Sequence, residues 1–299
     1  MKKYLFIINP KSGTVSKKHI PELIRYEMDP AIIDTHVSFT ESAGHATKLA
    51  KEAVLNGFDS VICVGGDGTV NECAQALSHT RVKLGIIPAG SGNGLALHFG
   101  IPLDAREALK TLNKCYELDI DSLKINDRFC IGTFGLGFDA HIAHLFAASE
   151  KRGYYTYVKL VLGEFYKYNP KDYLLQIDGE KHLLEAFLLT VANGSQFGNN
   201  AVIAPFADPG DGIIDVSVMK KFPLISAPSL IYRMMKNTLY KSKYFESFRA
   251  KEILVYNNIE LKCHIDGESC VFNSDIHVKM QASSIRMLVP LEYKIKKKT

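Results

Sequence analysis

The chain has 299 residues, of which 46% are hydrophobic, so it can bury a sizeable core and fits two domains better than one. Its net charge of +4 is modest and gives no indication of a nucleic-acid partner. No apolar run approaches the roughly 18 to 20 residues that cross a bilayer. The six cysteines show no metal-binding spacing, which favours reduced thiols in a cytoplasmic protein.

The first third of the chain alternates between strand-like and helix-like segments. The pattern predicts strands at residues 3–8 and 35–39, with a short helix at 20–28 between them. A longer amphipathic helix begins near Ala46 and ends at Gly57. Such alternation predicts a mostly parallel sheet that is covered by helices on both faces.

A glycine-rich turn follows the next strand, which starts at Val61, and opens another helix. Glycines let the backbone approach a bulky anion, and the free N–H groups of a helix start point at it. Asp67 within this turn works against plain anion binding and therefore requires a cation, a ribose hydroxyl or a proton. A second glycine-rich turn at 89–94 follows the strand at 84–88, so both turns are expected at the carboxyl edge of the sheet, where one nucleotide could meet them. The alternative is a pair of ordinary strand-to-helix turns.

From about residue 116 the strand-like runs are no longer regularly separated by helices. This predicts a largely antiparallel second domain, either a sandwich or a rolled sheet, with helical insertions at about 139–168 and 223–240. We therefore place a nucleotide-binding domain at 1–121 and a β-rich lipid- and metal-binding domain at 122–299. The last strand, 285–290, is free to return to the first domain.

Two acidic turns in the second domain add the chemistry that a phosphoryl transfer needs. They are Asp208-Pro209-Gly210-Asp211-Gly212 and Asp266-Gly267-Glu268. Each alone is typical of an ordinary turn. Carboxylates suit Mg²⁺, however, and a carboxylate within reach of an alcohol can accept its proton. The P-loop and the protein-kinase motifs are absent from the sequence, which excludes those two classes.

Four motifs in this order resemble the diacylglycerol kinase catalytic-domain family, which includes soluble bacterial lipid kinases and sphingosine kinases. The motifs are Asn9-Pro10-Lys11-Ser12-Gly13, the turn from Gly65 to Glu72, Pro88-Ala89-Gly90-Ser91-Gly92-Asn93, and Asp266-Gly267-Glu268. The resemblance covers nearly the whole chain. It implies an N-terminal α/β domain of NAD-kinase-like, Rossmann-like fold, a C-terminal β-rich sandwich domain, and ATP bound between the two.

The resemblance also implies roles for individual residues. Glu268 matches the proton acceptor of the bacterial members, with Asp266 beside it, whereas sphingosine kinases give that role to the acid equivalent to Asp67. Asp211, with backbone oxygens of Asp208 and Ile213, resembles the structural Mg²⁺ site of the family. The implied ATP contacts are Asn9, Pro10, Lys11, Ser12, Gly13, Thr40, Gly65, Gly66, Asp67, Gly68, Thr69, Val70, Asn71, Glu72 and Ser91.

The sequence therefore predicts an ATP- and Mg²⁺-dependent lipid kinase that is cytoplasmic and peripheral at the inner membrane surface. The second turn reads Ser91-Gly92-Asn93-Gly94-Leu95-Ala96, closer to the sphingosine kinase version, which leaves diacylglycerol, a sphingoid base and ceramide open as substrates. The alternatives are an NAD kinase-like enzyme and a nucleotide-regulated lipid-binding protein without turnover. A homodimer also remains open.

Overall fold

The structure is a computed structural model that describes residues 1–13, 16–149 and 154–296. It divides the chain into two compact units. Unit 1 comprises residues 1–121 together with the segment that starts at Ala282, and unit 2 comprises residues 122–281.

Strands and helices alternate through unit 1. In chain order they are β1 (Lys2–Ile8), α1 (Ile20–Glu27), β2 (Ile33–Phe39), α2 (His45–Leu55), β3 (Ser60–Gly65), α3 (Asp67–Leu77), β4 (Lys83–Pro88), α4 (Gly94–His98) and α5 (Ala105–Leu112). The next strand, β5 (Cys115–Ile125), crosses the boundary into unit 2.

The sheet of unit 1 contains four parallel strands in the order β2-β1-β3-β4, and the last part of a long C-terminal strand pairs in parallel with β4. Helix α2 packs on α3 and α1 packs on α5. Strands β1, β3 and β4 are buried along most of their length, whereas the edge strand β2 has one buried residue, Ile33. This is the α/β architecture that the alternating pattern predicts.

Unit 2 consists mainly of antiparallel strands. They are β6 (Arg128–Cys130), β7 (Thr133–Gly137), β8 (Lys171–Ile177), β9 (Glu180–Ala186), β10 (Leu188–Ala192), β11 (Ile214–Met219), β12 (Phe245–Ala250), β13 (Glu252–Val255), β14 (Leu261–Ile265), β15 (Glu268–Phe272) and the first part of β16 (Ile276–Pro290). The helices are α6 (Phe138–Ala148), α7 (Tyr154–Glu164) and α8 (Ala227–Met235), and α9 (Leu291–Lys296) follows β16 in unit 1.

Two antiparallel layers form the sandwich of unit 2. One layer has the order β12-β11-β10-β7-β14-β15, and the other contains β16, β13, β8 and β9 with β5 and β6 attached. Apolar side chains from both layers form one core, with Phe134 and Val216 from the first and Leu175 and Ile253 from the second. The predicted β-rich sandwich is confirmed.

The predicted strands of unit 2 differ from the observed ones in detail. The sequence pattern predicts one strand each at 128–134, 276–281 and 285–289. The first of these is two strands, because Ile131 and Gly132 interrupt it, and the other two are one strand. Strands β8, β9, β12 and β15 were not predicted. The last three lie at the edge of their layers and are largely polar or only partly buried, and the inner strand β8 has only three buried residues. An edge strand does not need a continuous apolar run, so its sequence signal is weak.

Candidate active site

The predicted nucleotide-binding segments of unit 1 lie at one edge of its sheet. Ile8 at the end of β1 is level with Phe39 of β2 and Val64 of β3, and Gly65 is level with Pro88 of β4. The four strands therefore end together. The segments that follow them, beginning at Asn9, Thr40, Gly66 and Ala89, all start at this carboxyl edge, where open α/β sheets bind their ligands.

The loop after β1 is tied to both glycine-rich turns. The Asn9 amide donates a hydrogen bond of 2.9 Å to the Thr69 hydroxyl, and the Ser12 hydroxyl lies 3.2 Å from the Ala89 carbonyl oxygen. Gly13 has a φ of +59°, and a Cβ there would lie 2.5 Å from the same carbonyl. Ser12 and Gly13 are therefore held against the backbone of Ala89, while Pro10 and Lys11 remain exposed.

The two glycine-rich turns are in backbone contact with each other. A Cβ on Gly90 would lie 2.3 Å from the Gly66 Cα, and a Cβ on Gly66 would lie 3.0 Å from the Gly90 Cα. Gly66 is the N-cap of α3 and has no side chain with which to accept from the first amides of that helix. Those amides suit an anion, because a helix start carries partial positive charge.

Asp67 joins the two turns through its carboxylate. Oδ2 accepts a 2.8 Å hydrogen bond from the Asn93 amide N–H, and Oδ1 accepts one of 2.7 Å from the Gly94 N–H. The Asn93 side chain in turn bonds both the N–H and the C=O of Gly90. Asp67, for which the sequence predicts a cation, a ribose hydroxyl or a proton as partner, thus has a structural use, since it accepts hydrogen bonds from backbone N–H groups of the second turn.

Some residues predicted to contact ATP make other contacts within unit 1. The Glu72 carboxylate accepts from the backbone N–H groups of Gly44 and Ala46 and so caps α2, and Val70 is buried in the core. Glu72 is therefore not included among the proposed ATP contacts. Thr40 is buried and its N–H donates to the Ile8 carbonyl oxygen, whereas Ser91 is exposed in the second turn.

In unit 2 the Asp-Gly-Glu motif forms a two-residue hairpin between β14 and β15. Ile265 pairs with Glu268, and Asp266 and Gly267 between them have φ values of +49° and +84°, the pattern that an Asp-Gly hairpin turn adopts. The Asp266 carboxylate accepts three backbone N–H bonds of 2.8 to 2.9 Å from Ile131, Gly132 and Thr133. Asp266 is thereby anchored, while Glu268 next to it is exposed.

A buried histidine–aspartate pair supports the same hairpin. His264 Nε2 lies 3.1 Å from Asp139 Oδ2, and the Gly267 N–H donates to His264 Nδ1 over 3.3 Å. Gly135 makes room for the pair, because a Cβ there would lie 2.1 Å from His264 Nε2. Burial lowers the pKa of His264, but the hydrogen bond and charge of Asp139 outweigh it and raise that pKa above its ordinary value.

Sequence reasoning did not single out this pair, although a signal was present. Strand β7 ends in Gly135-Leu136-Gly137 and runs directly into α6, which carries Asp139 in its first turn. That is the same succession of strand, glycines and acid-bearing helix start that identified Asp67. His264 lies in β14 two residues before Asp266, the first residue of the hairpin turn.

The turn predicted to bind Mg²⁺ carries carboxylates, one of which pairs with Arg249 of β12. Asp211 Oδ1 accepts from the Ile213 N–H at 3.0 Å, and its other oxygen pairs with the Arg249 guanidinium. The Asp208 carbonyl oxygen accepts from the Asp211 N–H at 3.2 Å. Burial raises the pKa of Asp215 to about 6, partly opposed by Arg249, and Asp215 Oδ2 has no hydrogen-bond partner within the described residues.

These carboxylate and carbonyl oxygens are the kind of ligand that Mg²⁺ prefers, and the buried Asp215 Oδ2 has no hydrogen-bond partner among the described residues. They do not form a cage of side chains. In the part of the chain that the structure describes, no group of three or more His, Cys, Asp or Glu side chains is placed to hold a metal ion.

Comparison with known proteins decides the family. Residues 3–125 match the family model described as the diacylglycerol kinase catalytic domain. Residues 132–288 match that of the YegS C-terminal NAD kinase beta sandwich-like domain. The chain therefore belongs to the diacylglycerol kinase family of lipid kinases. The enzyme class expected from the four motifs is confirmed.

Similar proteins span nearly the full length of this lipid kinase. The diacylglycerol kinase of Bacillus subtilis is 28% identical over 274 residues, which cover 90% of each chain. The probable lipid kinase YegS-like of Chromohalobacter salexigens is 29% identical, over 85% of this chain and 83% of its own. The crystal structure of a diacylglycerol kinase from Bacillus anthracis has a TM-score of 0.73 at 23% identity and covers 98% of both chains, which shows the shared fold.

Proposed function

We propose that this lipid kinase transfers the γ-phosphoryl group of ATP, with Mg²⁺, to a hydroxyl of diacylglycerol or a related lipid such as a sphingoid base. It would act from the cytoplasm as a peripheral enzyme of the inner membrane surface. The observation that carries the proposal is the contact between the two glycine turns, in which Gly66 and Gly90 approach so closely that no side chain fits. Backbone amides are then the groups that the turns offer, and these suit phosphate oxygens.

The carboxyl edge of unit 1 would hold the nucleotide. The turn from Gly65 to Asn71 and the start of α3 would bind the phosphates, with Ser91 and the loop from Asn9 to Gly13 beside them and Thr40 nearer the nucleoside. Phosphoryl transfer depends mainly on positioning and charge stabilisation, which rigid amide donors supply without reorganisation. The ties from Asn9 to Thr69 and from Asp67 to Asn93 support this role, because they fix the turns in place.

Glu268 would accept the proton of the lipid hydroxyl as its oxygen attacks the γ-phosphorus and ADP leaves. Of the three candidate acids, Asp67 already accepts two backbone N–H groups and Asp266 accepts three. Glu268 is exposed and follows the tightly held turn directly. We accordingly assign Glu268 as the base and the other two as positioning residues.

Asp211, with the carbonyl oxygens of Asp208 and Ile213, would hold a structural Mg²⁺. A thermal-shift titration with MgCl₂ and no nucleotide tests this assignment. The wild-type melting temperature should rise with Mg²⁺, and Asp211→Asn should abolish the rise. An equal rise in Asp211→Asn would remove Asp211 from the metal site.

The substrate is tested by incubating the protein with labelled ATP and, in separate reactions, diacylglycerol, sphingosine or ceramide in detergent micelles, or NAD. We expect label in one of the lipids. Label in NAD alone would instead indicate an NAD kinase. Micelle binding with no product in any reaction would indicate a lipid-binding protein without turnover.

A further inference from the structure

An exposed apolar surface surrounds helix α8 in unit 2. Leu230 and Met234 of this helix pack into the core, whereas Ile231, Tyr232 and Met235 are 56% to 62% exposed. Ile225, just before the helix, is 91% exposed. We call these four exposed residues, together with the next two described, the α8 surface.

The α8 surface extends to neighbouring segments. Tyr240, in the 3-10 turn Leu239–Lys241, is exposed, and its ring lies 5.2 Å from that of Phe206, which is also exposed. That turn is packed against α8. A cluster of large exposed apolar side chains on a folded unit marks a surface that meets a partner.

The chain segment that carries α8 and the turn after it has charges of one sign. Residues 216–245 contain six cations and no carboxylate, although the whole chain has a net charge of only +4. One of the six, Lys221, is turned inward, where its ammonium donates to the Tyr168 carbonyl oxygen at 2.7 Å and lies over two phenylalanine rings. Lys236, Lys241 and Lys243 remain exposed beside the apolar residues.

We propose that the α8 surface docks on an anionic lipid bilayer. Exposed aliphatic and aromatic residues next to exposed lysines are the combination that inserts shallowly among acidic head groups. A symmetric contact between two copies would place the lysines of one copy against those of the other, which disfavours self-association through this face. The biological purpose of this docking depends on the proposed lipid substrate, but vesicle binding can be measured without the kinase reaction.

The docking would be peripheral. Helix α8 has nine residues and is about 13 Å long, far less than a bilayer core. Among the helices in the described ranges, none is long and apolar enough to cross a membrane. We therefore expect α8 to lie along the membrane surface, with Ile231 and Met235 entering the head-group region and Leu230 still in the protein core.

Sedimentation with sucrose-loaded vesicles, without ATP, tests the docking. The wild type should bind vesicles of equimolar phosphatidylcholine and phosphatidylglycerol, and more weakly vesicles of phosphatidylcholine alone. The double variant Ile231→Ser/Met235→Ser should reduce partitioning by at least about tenfold. The variant Lys241→Gln/Lys243→Gln should reduce it by about fivefold per lysine, and only for the anionic vesicles.

Matched controls come from exposed residues elsewhere in unit 2. Leu183→Ser on β9 and Lys262→Gln on β14 should bind vesicles like the wild type, because both residues are exposed but lie outside the α8 surface. Unchanged binding by Ile231→Ser/Met235→Ser would overturn the proposal. So would a wild-type dimer in analytical ultracentrifugation that this double variant converts to a monomer, since the face would then bind a second copy.

Activity on lipid in detergent micelles separates this proposal from the proposed function. If the wild type phosphorylates micellar lipid but fails to bind vesicles, the α8 docking is wrong and the kinase assignment stands. If it binds vesicles through the α8 surface and phosphorylates no lipid, the docking stands and the proposed reaction is wrong.

Discussion

The glycine turns of unit 1 and the Asp-Gly-Glu hairpin of unit 2 are both built around an acid whose carboxylate accepts backbone N–H groups. In unit 1 Asp67 ties one turn to another, and the groups left for a ligand are backbone amides at a helix start. In unit 2 Asp266 anchors its own turn, and the group presented next is the Glu268 side chain. The turns of unit 1 therefore offer backbone N–H groups to a ligand, whereas the hairpin of unit 2 offers a carboxylate.

This difference predicts that the two regions are sensitive to opposite kinds of substitution. The glycine turns have no room for additional atoms, so they should fail when a methyl group is added. The hairpin presents the Glu268 carboxylate directly after its turn, so its function should fail when that carboxylate is replaced by an amide of the same shape.

The largest effect is expected for Glu268→Gln. The amide has nearly the same shape but cannot accept the hydroxyl proton as a carboxylate does, so kcat should fall by about 10² to 10⁴ with the fold intact. Steady-state kinetics measure kcat, and a melting curve tests whether the fold is intact. The control is Glu260→Gln, an exposed glutamate before β14, which should keep wild-type activity. A Glu268→Gln enzyme with unchanged kcat would exclude Glu268 as the base.

Gly90→Ala should be the next most damaging change. The new methyl group would meet the Gly66 Cα at 2.3 Å, and since both partners are backbone the turns must separate. We expect at least about tenfold weaker ATP binding and a free energy of unfolding lower by about 1 to 3 kcal/mol. Calorimetric ATP titration and urea unfolding measure these quantities.

Gly163→Ala is the matched control for that substitution. Gly163 is exposed in α7 and has no heavy atom within 4 Å of an added Cβ, so alanine there should leave ATP binding unchanged and stabilise the helix by up to about 1 kcal/mol. Equal ATP affinity in both alanine variants would contradict a phosphate site made of backbone at Gly66 and Gly90.

Asp67→Asn distinguishes a positioning role from a catalytic one. The amide nitrogen cannot accept, so one of the N–H groups of Asn93 and Gly94 loses its partner, at a cost of about 1 to 3 kcal/mol in stability. We expect a higher KM for ATP and a kcat within about tenfold of the wild type. A fall in kcat of about 10² or more at unchanged KM would instead make Asp67 the base, as in sphingosine kinases.

Much of unit 1 could be predicted because its signals are local. The buried runs of β1, β3 and β4 and the turns after them are written in consecutive residues, and parallel strands place their carboxyl ends together whatever the detailed packing. The Asp104 cap of α5 is equally local: its side chain accepts from the Glu107 N–H, as an Asp-x-x-Glu pattern predicts.

The partners of the acids could not be predicted, because they are distant in sequence. Asp266 accepts N–H groups more than 130 residues away, and His264 meets Asp139 125 residues away. No spacing rule encodes such pairs; they follow from the register of β14 on β7. The structural use of Asp67 was missed for the same reason, since its donors lie beyond the next strand.

The smallest effect is expected for His264, which acts on Glu268 only through the turn. Asparagine places an acceptor near the position of Nδ1 and so can still accept the Gly267 N–H, whereas glutamine reaches Asp139 but leaves that N–H without its partner. We expect His264→Gln to lower kcat by about twofold to tenfold, and His264→Asn to retain more of it. Equal kcat values for the two variants, both folded, would leave the histidine with a packing role only.

The pH dependence gives a second measure of the same pair. Burial lowers the pKa of His264, yet Asp139, with smaller contributions from Asp266 and Cys270, raises it above the ordinary value of about 6.5. Protonated His264 therefore stabilises the fold below that ordinary value, and this contribution is lost as pH rises through the folded-state pKa. Only the neutral ring can accept the hydrogen bond from the Gly267 N–H. As pH decreases through the same pKa, kcat should therefore fall, whereas the contribution of His264 to stability increases. Asp139→Asn removes the main cause of the raised pKa and should move this acid limb of kcat to lower pH; an unmoved limb would assign it to another group.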